Sequence, residues 1–140
     1  VSFGVNGSYV AWFTGESPAD DSLPGRPAPG VYLNAWLPRV GPVHARLALD
    51  DDVREPTHPL LATFGPATLI GVLARTTTSP ERHVLSLRTL ESGGTRSPWL
   101  HLGDHVASAA LATHGEARAY ALWTEKREEG PRVRLVKLSR

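Results

Sequence analysis

Apolar and polar residues alternate with a period of two through much of this chain. Val31, Leu33, Ala35 and Leu37 fall on one side of a predicted strand, with Tyr32, Asn34 and Trp36 on the other. Val43, Ala45, Leu47 and Leu49 alternate in the same way with His44, Arg46 and Ala48. Residues 69–75 are apolar almost throughout, the pattern of a strand buried on both faces. Further strands are expected at 9–14, 58–63, 82–90, 98–102, 106–113, 118–125 and 132–138, between turns rich in glycine, proline and charge. Alanine is frequent in 106–113, which would also suit a helix. Its counterpart at 58–63 is short and started by proline, which favours a strand. Residues 16–30 hold four prolines and two glycines and read as an exposed loop.

Part of the pattern recurs. Leu111-Ala112-Thr113-His114-Gly115 stands fifty positions after Leu61-Ala62-Thr63-Phe64-Gly65, and a strand follows each. A third, more worn copy opens the chain with Phe3-Gly4 and then Tyr9 to Thr14. Four strands per unit at a period near fifty is the signature of propeller blades. The units divide as 1–57, an incomplete blade carrying the loop at 16–30; 58–105, a complete blade; and 106–140, an incomplete one.

The motif Leu-Ala-Thr-x-Gly, a strand ending Trp123-Thr124-Glu125, a charged turn and Val133-Arg134-Leu135-Val136-Lys137-Leu138 together resemble the degenerate blades of bacterial β-propeller proteins. The resemblance covers the whole chain. It implies an all-β fold of antiparallel four-stranded blades, about two and a half of them, with a β-sandwich as the alternative. It transfers no catalytic residue, because such blades serve unrelated activities. Ser92 to Trp99 is also similar to the Asp-box turn of sialidase-like propellers. It departs from that turn at Gly94, where the motif has aspartate, and at Arg96, where it has glycine.

Composition narrows the picture further. A formal net charge of +1 gives no field that would attract nucleic acid. The absence of cysteine removes disulfides and thiol chemistry. No apolar run approaches the ~20 residues of a membrane-spanning helix. A chain that starts at Val1 and has no methionine is expected to be a processed product or a piece of something longer, with a lean towards a secreted or periplasmic location.

Candidate chemistry is sparse. Trp12 and Trp123 each follow a tyrosine by three residues, as a ligand-stacking platform or as packing between blades. Tyr32, Asn34 and Trp36 share a face and, with Trp99, are the candidate ligand-binding residues for carbohydrate or protein contact. The six histidines lack metal-site spacing, and Asp50-Asp51-Asp52 lacks the spacing of a calcium loop. No catalytic set, metal or cofactor is expected, and Asn6-Gly7-Ser8 fits only the short glycosylation pattern. The leading expectation is a non-enzymatic binding or assembly module. Its rim loops and open blade edges would meet a protein partner, further blades or carbohydrate. A piece of a glycoside-cleaving propeller hydrolase and a structural subunit of an extracellular assembly are the alternatives.

Overall fold

The computed structural model describes residues 2–4, 7–14, 30–37, 41–47, 53–79, 81–91 and 96–139. The proline-rich loop up to Pro29, the three aspartates at 50–52, Asn6 and residues 92–95 of the Asp-box-like turn lie outside the described residues. The described chain is all-β and antiparallel, with no helix. Three sheets follow one another in sequence, each a meander of neighbouring strands. The first contains β1 (Ser2–Gly4), β2 (Gly7–Thr14), β3 (Gly30–Leu37) and β4 (Gly41–Leu47). The second contains β5 (Val53–Phe64), β6 (Ala67–Thr76), β7 (His83–Leu90) and β8 (Leu100–Asp104). The third contains β9 (Val106–His114), β10 (Arg118–Glu125) and β11 (Arg132–Ser139).

All ten anticipated strands are present, with shifted ends. The structure adds Ser2–Gly4, three residues paired to β2. It also starts β5 at Val53, inside the polar stretch read as a connector. Pro56 and Pro59 sit within that strand because β5 is the edge of its sheet, where a missing N–H breaks no ladder on the solvent side. Register shifts flank Pro56 on both sides.

The second sheet is sandwiched between the other two. Ile70, Val72, Ala74 and Val84 face the first sheet and pack with Val31 and Leu33. Leu69, Leu73, Leu85 and Leu87 face the third and pack with Ala119, Ala121 and Trp123. Eight consecutive buried residues from Ala67 to Ala74 are therefore the consequence of two covered faces.

Turn length sets which face each repeated residue takes. Phe64 pairs with Ala67 across the two residues Gly65-Pro66, whereas His114 pairs with Arg118 across three. Gly65 and Gly115 both hold positive φ, which a residue without Cβ adopts freely. The extra residue flips the strand by one position. Leu73 and Trp123, fifty apart, thus meet in one core from opposite sides.

Candidate functional site

The ends of the second and third sheets meet at one rim, where β6, β8 and β10 finish and β7, β9 and β11 begin. β8 ends at Asp104, and His105 then takes a positive φ of 54° to turn the chain into β9. Such a backbone is uncommon outside glycine. The Lys126 N–H donates to the His105 carbonyl at 2.8 Å, tying this corner to the end of β10. The ladder between β9 and β10 slips there, from Thr124–Ser108 to Glu125–Val106, which leaves Ala107 as the extra residue of a bulge.

Beside this corner two half-exposed arginines gather on one buried carboxylate. Glu125 is buried, and the Trp123 indole N–H donates to its Oε1 at 3.0 Å. The Arg127 guanidinium donates to Oε2 through Nε at 3.1 Å and Nη2 at 2.7 Å. Arg134 stands 3.6 Å from the same oxygen. The bonds from Arg127, and then from Trp123, hold the Glu125 carboxyl below the usual carboxylate range against the opposing effect of burial. Gly103 makes room for this cluster: a Cβ there would stand 2.5 Å from Trp123 Nε1 and 3.3 Å from Glu125 Oε1. Trp123 is therefore packing between sheets, the second of the two roles open to it. The side chain of Trp12 lies outside the described part.

A cleft of about 240 Å³ opens at the rim, lined by His58, Leu73, Glu81, His83, His105 and Lys126 among others. A broader depression of about 490 Å³ continues past His105 and Lys126 to Arg132. Arg75 Nε donates to His83 Nε2 at 3.4 Å. No three His, Asp or Glu side chains among the described residues converge as metal ligands. Glu125, held ionised by its arginines, has no proton to give as a general acid near neutrality. Ser86 Oγ lies 2.8 Å from His101 Nδ1, a spacing that suits nucleophile and base. Ser86 is only 6% exposed and directly opposite His101 in the β7–β8 ladder, so the bond satisfies a buried hydroxyl.

Of the four residues picked out for ligand contact, three come together. Tyr32, Asn34 and Trp36 share the outer face of β3, and Trp36 is 61% exposed. Their register partners across the sheet are Trp12 and Arg46, Val10 and His44, and Ser8 and Pro42. Trp99 is elsewhere: it packs on the cluster that Val31 and Leu33 join from the inner face of β3. The Arg88 guanidinium carbon sits 4.7 Å from the centroid of its ring.

The outer face of the third sheet went unnoticed in the sequence. Leu122, Val133 and Leu135 are exposed there; Leu122 and Leu135 are register partners, and Val133 lies in the next row, opposite Thr124. The signal was present in β11, where Val133 and Leu135 have one parity and Val136 and Leu138 the other. A strand that is apolar on both parities, like β6, has two faces to cover. Comparison with known protein families, with characterised proteins and with solved structures found no match to this chain.

Proposed function

We propose that this chain is a non-enzymatic assembly module, a segment of β-propeller that meets a protein partner through the open faces of its outermost sheets. One observation carries the reading. The middle sheet is covered on both sides, while the outer faces of its neighbours present Trp36 on one end and Leu122, Val133 and Leu135 on the other. Large apolar side chains grouped on a flat sheet mark an interaction surface. Successive meanders of four, four and three strands stacked face to face, each unable to bury both faces alone, support the propeller reading. Tyr32, Asn34 and Trp36 form the polar and aromatic part of this surface, and the same trio offers a stacking platform for a sugar ring as a second reading.

Two measurements on the purified chain and on Leu135→Asp test the proposal: fluorescence of the apolar dye anilinonaphthalene sulfonate, and light scattering over a range of concentrations. The expected result is dye binding or association of any stoichiometry that Leu135→Asp abolishes. A chain that neither binds dye nor associates, and is unchanged by the substitution, overturns it.

A further inference from the structure

The second sheet shows what covers a face of this kind. Across it run the rows Leu60–Gly71–Leu87 and His58–Leu73–Leu85. In the third sheet, the rows Ala110–Leu122–Leu135 and Ser108–Thr124–Val133 occupy the same places. Their first members stand fifty positions after Leu60 and His58. Leu85 and Leu87 are 0% and 1% exposed, and the cover is the third sheet. One methyl carbon of Leu111 reaches to 3.3 Å from where a Gly71 Cβ would stand. The corresponding Val133 and Leu135 are 70% and 64% exposed. A sheet of this chain's own construction therefore fits that face.

Among the described residues, the first sheet carries a face of the complementary sort, marked by the exposed Trp36. The third sheet covers the second with the face bearing Trp123, the fifth residue after Arg118 at the end of its turn. The matching position in the first sheet, fifth after Gly7, is Trp12, whose register partner is Tyr32. Tyr32 lies on the outward side of the first sheet, opposite Val31 and Leu33, together with the exposed Trp36.

We infer that the partner is a second copy of this chain, joined head to tail, with the third sheet of each copy stacked on the first sheet of the other. This rests on the propeller reading above. The contact is heterologous, and such contacts either close into a ring or run on as a filament. The described residues of each copy supply three sheets. Propellers close at about four to eight blades, so two copies close at six, one copy falls short and three overshoot.

The test is mass in solution, with complementation between variants. Wild type is expected at twice 15.1 kDa. Leu135→Asp and Trp36→Asp, both at exposed positions, each bring an unpaired charge into the contact and are expected to weaken association roughly a hundredfold. Val133→Asp repeats the first, and circular dichroism checks that all three remain folded. Mixing Leu135→Asp with Trp36→Asp restores one intact interface and hence a one-to-one pair. If Trp36→Asp alone still dimerises, the contact is face to itself and the inference fails. Trimers or filaments refute closure at two and leave the assembly reading standing. A wild-type monomer that binds the dye through Leu135 also refutes the second copy alone, and assigns the cover to another polypeptide or to further sheets of a longer one. A monomer with no dye binding ends both.

Discussion

The second and third sheets are built on one plan and live in different surroundings. Each is a meander whose first hairpin turns at a positive-φ glycine, and Leu85 and Leu87 of one occupy the places of Val133 and Leu135 of the other. In the second sheet, both faces of the central strand are sealed. In the third, Ala119, Ala121 and Trp123 are sealed while Leu122 on the other parity stands in solvent. The same kind of side chain is core in one sheet and surface in the other. What differs is whether a neighbour is present, and burial depends on that neighbour more than on the strand's own sequence.

Truncation is the sharpest way to break the comparison. Leu85→Ala removes fully buried atoms between two sheets that cannot close up freely. It is expected to cost about 2–5 kcal/mol. Val133→Ala at the matching place should change the stability of the dilute, unassociated chain by no more than about 0.5 kcal/mol. Chemical denaturation of both variants, at a concentration where wild type is monomeric, checks the contrast. Equal losses would mean that the third sheet's outer face is already covered within one chain.

The glycines give the next effect. Gly103→Ala sets a Cβ against the Trp123 indole, and neither the β8 backbone nor a ring packed between sheets can easily move aside. Overpacking of this sort costs about 1–3 kcal/mol. A change in Trp123 fluorescence should accompany it, because the Trp123–Glu125 hydrogen bond must lengthen. Unchanged stability would show that the indole has room to swing.

Strand positions were legible in the sequence because a period of two and turn residues are local signals. Alternation at 31–37 and the apolar run at 69–75 located their strands directly. The register of the repeat was not legible to the same degree. Matching Leu73 with Trp123 by counting fifty residues overlooks the extra residue in the turn at 115–117. One residue there reverses every side chain beyond it. Trp99 was grouped with Tyr32 and Trp36 by residue type, whereas its place under Arg88 depends on how two sheets stack. In the sequence Glu125 is one carboxylate among several, and nothing marks it out. Its burial follows from a bulge at Ala107, a glycine at 103 and two arginines from later in the chain, and no local pattern announces that convergence.

Acid should reach that carboxylate late. Its folded value is held down, so its stabilising contribution is complete above the ordinary glutamate range near about 4.3 and is lost as pH falls through the lower folded value. Glu125→Gln leaves two guanidinium groups facing a neutral amide and is expected to cost about 1–3 kcal/mol at neutral pH. It should also flatten the fall of stability with acid. Unfolding measured at a series of pH values on both proteins checks the slope, and parallel curves would remove Glu125 as its source.

Glu129, four residues on, completes the comparison at the smallest scale. It too is paired with an arginine, Arg132, at 2.9 Å, close to the 2.7 Å of Glu125 and Arg127. Distance alone would rank the two pairs together. Glu129 is open to water, however, and an exposed pair three residues apart gains little that the solvent did not already supply. Glu129→Gln should therefore shift stability by no more than about 0.5 kcal/mol, and that small effect should vanish in molar salt. The penalty for Glu125→Gln should survive the same salt, because its carboxylate is packed beneath Trp123 and Gly103. If salt erases both, the Glu125 cluster is a surface pair in energetic terms, and the rim is held by packing alone.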